Sequence, residues 1–227
     1  MTTLLVATRN DHKVGEIRAI LSNHFNFLTL RDFPGAPNVI EDANTFAGNA
    51  TKKSVELARW LAAHPSADPA KQPDYVLADD SGLEVDALNG APGVYSARFA
   101  ALDTAGPGNS PDADNNAKLL RLLRDIPAER RTARFRCVLA LTPVTPPSPA
   151  NTSSACAADE FELQTHLFDG ACEGRIALTP SGANGFGYDP LFIPTGQSQS
   201  FAELGETIKN TLSHRAHALK KLRQELR

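Results

Sequence analysis

ADDSGLEVDALNGAPGVYSARF, residues 78–99, opens with two carboxylates and a hydroxyl, Asp79, Asp80 and Ser81. They follow Tyr75-Val76-Leu77-Ala78, a short, largely apolar run that suits a buried strand. A strand ending there would present its acids at a sheet edge. Beyond Gly82, Leu83, Val85 and Ala87 alternate with Glu84 and Asp86, the pattern of a second strand, before Asn89-Gly90 and Ala91-Pro92-Gly93 break the backbone. Adjacent acids at a strand end suit a hard divalent cation such as magnesium, which takes oxygen ligands and bridges to phosphate. A solvated acidic turn would show the same residues.

The chain around this segment has 227 residues, 41% hydrophobic and 22% charged, with a net charge of −3. That is ordinary globular composition, sufficient for a sizeable core. The charge gives no reason to expect a nucleic acid polymer or an anionic membrane as partner. Any phosphate must be met by a local basic cluster. Cys137, Cys156 and Cys172 are odd in number and too widely spaced for a CxxC or zinc pattern, which suggests reduced thiols. Leu4-Leu5-Val6-Ala7 meets Arg9 too soon for a signal peptide or membrane span, so a soluble, cytoplasmic protein is expected.

Leu4 to Ala7 reads as a buried strand, and Thr8-Arg9-Asn10-Asp11-His12-Lys13 leads into a helix with Val14, Ile17, Ile20 and Leu21 on one face. A helix start offers backbone N–H groups to an anion, and Thr8, Asn10 and Lys13 add donors where a phosphate could sit. The glycines of a P-loop are missing. The competing account is a simple cap by Asn10 or Asp11, with Lys13 in solvent.

Phe25 to Leu30 suggests another strand. From Asn44 or Thr45 a long helix is predicted, with Phe46, Ala50, Leu57, Ala58 and Leu61 as its core stripe, ending at His64-Pro65. Glu41 and Asp42 ahead of it could favour the helix dipole, or one could reach a metal. Leu102 to Asp114 reads as a loop and Asn115 to Arg124 as a short packed helix. Thr132–Leu141 and Phe161–Leu167 alternate as two half-buried strands, and Pro143 to Asp159 between them is an insertion rich in Pro, Ser, Thr and Ala.

The third dense region is Ser181 to Phe192, reading SGANGFGYDPLF. Its glycines let backbone approach a ligand, and Phe186 and Tyr188 could stack on a base or simply pack. Asp189 could accept from a base edge or cap the turn before Pro190. Lys209 and Ser213-His214-Arg215 then precede a helix carrying Leu219, Leu222 and Leu226. They form a second candidate anion site, or are ordinary surface residues.

Thr8–Lys13, Ala78-Asp79-Asp80-Ser81-Gly82-Leu83, Gly90–Arg98, Phe186-Gly187-Tyr188-Asp189-Pro190 and Ser213-His214-Arg215 occur in the order seen in one family. Through these motifs the chain resembles the inosine/xanthosine triphosphate pyrophosphatases from Leu4 to the last helix. It departs from them at Pro143–Asp159, at the expanded stretch Thr104–Asp114, and at Ala43, where many members carry glycine. The resemblance implies an α/β fold: a mixed, elongated β-sheet with flanking helices, two lobes of one domain spanning residues 1–227, and a central cleft, as in Maf and inosine triphosphatase proteins. It also implies a homodimer, magnesium dependence and a small-molecule nucleotide substrate, cleaved to monophosphate and pyrophosphate by attack at the α-phosphorus.

Carried over residue by residue, the resemblance makes Asp80 the general base and a metal ligand, with Glu41 and Asp79 as supporting carboxylates. Thr8, Asn10, Lys13, Ser81 and Lys209 would hold the triphosphate. Arg9, Asp11 and His12 complete the substrate-binding segment, Arg9 without a specific role. Phe186, Gly187, Tyr188 and Asp189 would form the base pocket, closed by His214 and Arg215. Donors such as Arg215 and backbone N–H groups would favour a purine with a 6-keto oxygen over adenine, whose amino group leaves donors facing donors. The rivals are a Maf-type pyrophosphatase of different base specificity, against which the FGYDP and SHR motifs argue; a nucleotide sensor without turnover; and a haloacid-dehalogenase-like phosphatase.

Overall fold

The computed structural model describes residues 1–103, 108–144 and 160–226. β1 (Thr3–Val6) and β2 (Asn26–Thr29) are parallel neighbours, and α1 (Asp11–Leu21) supplies the crossover that parallel pairing requires. Val14, Ile17 and Leu21 form its buried face. After an irregular connection, α2 (Phe46–Ala63) starts where the Thr45 hydroxyl accepts from the Gly48 N–H, and it buries Phe46, Ala50, Leu57, Ala58 and Leu61 as their spacing predicts.

β3 (Tyr75–Val85) corrects the expectation of two strands broken at Gly82. It is continuous, and the residues after it, Asp86–Leu88, turn as a 3-10 helix that leaves Ala87 exposed. β1 pairs with β3 from Leu4 opposite Tyr75 to Val6 opposite Leu77, with a last bond from the Ala7 N–H to the Leu77 carbonyl. Asp79 and Asp80 therefore stand where β3 outruns β1. They are buried inside a strand rather than exposed at its end.

Next come α3 (Asp112–Leu122), β4 (Thr132–Pro143), α4 (Glu160–Leu163), β5 (His166–Ile176), β6 (Phe192–Pro194), α5 (Phe201–Leu212) and α6 (His214–Glu225). The six-stranded sheet runs β2-β1-β3-β4-β5-β6, and its antiparallel β5–β6 pair beside the parallel β1 pairs makes it mixed. The predicted strand Phe161–Leu167 opens instead with a helical turn, Phe161–Leu163 lying in α4: the Thr165 hydroxyl donates to the Phe161 carbonyl at 2.7 Å and closes the turn, and the strand begins only at His166. β6 and α5 had no sequence expectation. Residues 145–159 of the insertion, with Cys156, and residues 104–107 lie outside the described residues.

The chain divides into two compact units, Met1–Asp80 with Val138–Phe168, and Ser81–Cys137 with Asp169–Arg227. The first has a core of Leu5, Ala7, Leu57, Ala58, Leu61, Val76 and Ala78. The second has one built on Leu83, Leu119, Leu123, Phe135, Leu191, Phe192 and Phe201. Cys137 and Cys172 are buried thiols, and burial pushes Cys172 up to about 12, far from nucleophilic use. Among the described residues no helix is long and apolar enough to cross a membrane.

Candidate functional site

The first unit gathers one polar set at the end of β1. Thr8 turns the chain out of the strand, its hydroxyl accepting from the Asn10 N–H at 3.1 Å. The Asn10 side chain caps α1, accepting from the N–H groups of His12 and Lys13. The cap reading of Asn10 is thus correct, but the solvent-facing lysine that accompanied it is not. Lys13 Nζ lies 2.5 Å from Asp79 Oδ1, and Asp79 is only 1% exposed. Asp11 pairs instead with Arg31 at the surface, and Arg9 and His12 are exposed.

Asp80 is also buried, and its Oδ2 accepts from the Asn49 amide at 3.0 Å. Asn49 Oδ1 in turn accepts from the Ala43 N–H, tying the segment that carries Glu41 and Asp42 to α2. Lys53, one turn further along α2, reaches the Asp79 carbonyl at 3.2 Å and Glu41 Oε1 at 2.9 Å. Asp42 pairs with Lys52. Burial holds the Asp80 carboxyl above the ordinary carboxylate range, against the opposing pull of Lys13, the Asn49 bond and Lys53. A buried acid still raised beside two lysines is an oxygen donor that further positive charge would stabilise. A hard cation fits that chemistry, although among the described residues no three His, Cys, Asp or Glu side chains are already grouped as a metal cage.

Sequence reasoning missed Asn49 and Lys53. The signal was present as polar residues four apart on the buried side of an amphipathic helix, where an amide or ammonium needs a partner.

The second unit begins at Ser81, covalently next to Asp80. Ser81 Oγ accepts from Arg215 Nη2 at 2.9 Å. Arg215 is 1% exposed and His214 5%, so these are not ordinary surface residues. Ser213 caps α6 by accepting from the Ala216 N–H, and the His214 ring stacks on Phe135 at 4.8 Å between centroids. Close approach of β5 makes this possible: a Cβ on Gly170 would sit 2.1 Å from the His214 carbonyl oxygen.

Around residues 185–189 every predicted base-pocket residue is present, in roles that differ from the simplest expectation. Tyr188 is core: 4% exposed, with its hydroxyl donating to the Ser96 carbonyl at 2.9 Å, it packs rather than stacks. Asp189 Oδ2 accepts from the Phe186 N–H at 2.9 Å and from Lys209 Nζ at 2.5 Å. Lys209 lies within α5, a helix ahead of the one it was expected to precede, and its ammonium stands 4.5 Å from the Phe186 ring centroid. Its contacts place it beside Asp189 and Phe186. Gly185 has φ +79, and a Cβ there would meet Asp189 Oδ2 at 2.2 Å, so glycine is required. The N–H groups of Phe186 and Gly187 are both committed within the protein, to Asp189 and to Asp112. These two are therefore not idle donors for a keto oxygen.

Fold and site together define a mixed α/β protein with a buried aspartate flanked by lysines in one unit, and in the other a buried arginine bonded to Ser81 and an aromatic ring beside the Lys209–Asp189 pair. The Ham1 family profile matches residues 4–225, and the chain belongs to that family. It is 43% identical over 219 residues to the dITP/XTP pyrophosphatase of Desulforamulus reducens, covering 96% of this chain and 92% of that one. With the dITP/XTP pyrophosphatase of Shouchella clausii it shares 41% over 226 residues, covering 100% and 97%. Its fold is similar to that of a HAM1 protein from Coxiella burnetii, with TM-score 0.75 and 33% identity over 100% of this chain and 98% of that one.

Proposed function

We propose that this chain hydrolyses deaminated purine nucleoside triphosphates, those of inosine, deoxyinosine and xanthosine, to the monophosphate and pyrophosphate. Full-length similarity to proteins named for that activity supports the reaction class. The observation that carries the mechanism is Asp80, buried and raised beside Lys13 and Lys53. A carboxylate whose proton affinity burial has raised is a better proton acceptor for an attacking water than an ordinary surface aspartate. Lys13, Thr8, Asn10 and Ser81 offer cationic and neutral donors for the phosphate oxygens, and Lys53 adds a second ammonium that sequence reasoning had not included. Phe186 offers a ring face to the purine. His214 and Arg215, held rigidly by burial, offer donors to a 6-keto oxygen.

Asp80 would hold a magnesium ion, with Glu41 and Asp79 as supporting carboxylates, each of which already pairs with a lysine, Lys53 and Lys13 respectively. When bound, the ion neutralises charge on the phosphates and leaving pyrophosphate. The same reading makes the working species a cytoplasmic homodimer, and light scattering that returned one chain mass, 24.3 kDa, would remove the dimer from it.

A panel of inosine, deoxyinosine, xanthosine, guanosine and adenosine triphosphates with magnesium, both phosphate products quantified, tests the reading. Pyrophosphate from the first three is expected. Orthophosphate as product would indicate a phosphatase, and binding without turnover a sensor.

Lys13→Ala is expected to weaken binding of a non-hydrolysable triphosphate analogue by about tenfold or more, the scale of one charge-assisted hydrogen bond, while monophosphate binding changes little. Calorimetric titration of both ligands checks it. Equal losses would place Lys13 away from the polyphosphate.

A further inference from the structure

α3 grips the Phe186 loop in a way that the proposed reaction does not by itself require. Gly187 has φ +62, a left-handed conformation, and the peptide planes on either side of it are each held from α3. Asp112 Oδ2 accepts from the Gly187 N–H at 2.6 Å. Asn116 Nδ2 donates to the Gly187 carbonyl at 2.9 Å. Residues 112 and 116 are four apart, one helical turn, and so share a face. With both adjoining planes pinned, Gly187 has little freedom in φ and ψ. The Phe186 ring one residue earlier is then set from two directions, by α3 through the backbone and by Lys209 over its face.

Asn116 is a poor choice if stability alone were served. Its Oδ1 is buried and has no hydrogen-bond partner among the described residues. A buried amide oxygen left unsatisfied is destabilising, and an apolar residue would avoid that cost. The rest of α3 anchors the helix without help from residues 112 and 116. Leu119 enters the core, and Asn115 ties down the preceding segment by accepting from the Ala100 N–H and donating to the Ala97 carbonyl.

We propose that Asp112 and Asn116 are positioning residues for base selectivity, clamping the Gly187 peptide so that the Phe186 ring is presented at one fixed height to the purine. This rests on the hydrolase reading above. The clamp touches neither the phosphates nor Asp80, so its loss acts on base binding rather than on the chemical step. A loose ring also accepts wrong bases more readily, because rejection depends on a pocket that cannot adjust.

The test uses the full chain and the variants Asp112→Ala, Asn116→Ala and the conservative Asp112→Asn, assayed on inosine and guanosine triphosphates. Each alanine variant is expected to raise KM for inosine triphosphate about tenfold with kcat within about threefold, and to narrow the inosine-to-guanosine ratio of kcat/KM. Asp112→Asn, which keeps an acceptor oxygen, should restore most of the loss. Melting temperature separates this from a purely structural role, since Asn116→Ala should leave it unchanged or raised. Unaltered KM and selectivity in both alanine variants overturns the proposal, as does a fall in kcat that tracks lost stability. If the parent chain hydrolyses none of the panel, the hydrolase reading fails separately, and hydrogen exchange then judges the clamp: a Gly187 amide slow in the parent and fast in Asp112→Ala supports it, and equal rates overturn it.

Discussion

Asp80→Asn is expected to lower turnover by about 10³-fold while leaving the chain folded and, at neutral pH without metal, more stable than the parent. The amide has nearly the same shape, and its oxygen can still accept from Asn49. What changes is charge. Burial raises the folded-state pKa of Asp80 above its unfolded value of about 3.9, so between those two values the folded chain binds more protons than the unfolded chain. The contribution of Asp80 to the parent's stability therefore declines as pH rises through that window, and the ionised carboxylate is a full penalty above it. Below the unfolded value both states are protonated and the penalty vanishes.

The stability gap between Asp80→Asn and parent should accordingly be near zero at low pH, grow through the acidic range and level off. Thermal melts across pH in the presence of a chelator measure it. Magnesium should then raise the parent's melting temperature more than the variant's, because a cation bound at an ionised Asp80 stabilises the folded state by mass action. A gap independent of pH would show that burial does not govern Asp80. Retained turnover would remove it from the mechanism.

Gly170→Ala should cost about 3 kcal/mol, or roughly 10 °C in melting temperature for a chain of this length, though it adds a single methyl group. The added carbon would lie 2.1 Å from the His214 carbonyl oxygen and 2.6 Å from the Ala218 nitrogen, both backbone atoms of α6 that no rotamer change can move aside. α6 must shift away from β5, and the shift carries Arg215 off its 2.9 Å bond to Ser81. Activity should fall beyond what the lost stability explains. Gly15→Ala is the control: it lies in the exposed interior of α1 with nothing within 4 Å of the new carbon, so helix propensity predicts a gain of about 0.5–1 kcal/mol. Equal melting temperatures for Gly170→Ala and parent would mean that the β5–α6 approach is looser than described.

Elements whose side chains report their own surroundings could be read in advance. The stripes of α1 and α2, the apolar run of β1 and the alternation of β4 each repeat with the period of their structure. β5 failed that test because Gly170 and Gly174 stand at its closest contacts, where a missing side chain gives no periodic signal. Phe161-Glu162-Leu163 misled because three residues of alternation fit one helical turn equally well. The site divides in the same manner. Asn10 as a cap is a local matter, but the partner of Lys13 lies 66 positions away, and no short-range rule reaches it.

The order and chemistry of the sequence motifs determined the family, the presence of acids, lysines and aromatic residues in those motifs, and most of the regular elements, because each rests on residues close together along the chain. Only the tertiary structure decided that β3 runs on through Asp79 and Asp80 and that both are buried, that Lys53 joins Lys13 beside them, and that Tyr188 is core while Lys209 turns to Asp189. Burial and pairing depend on which distant segments meet, and a carboxylate's proton affinity follows from that meeting rather than from its neighbours in sequence.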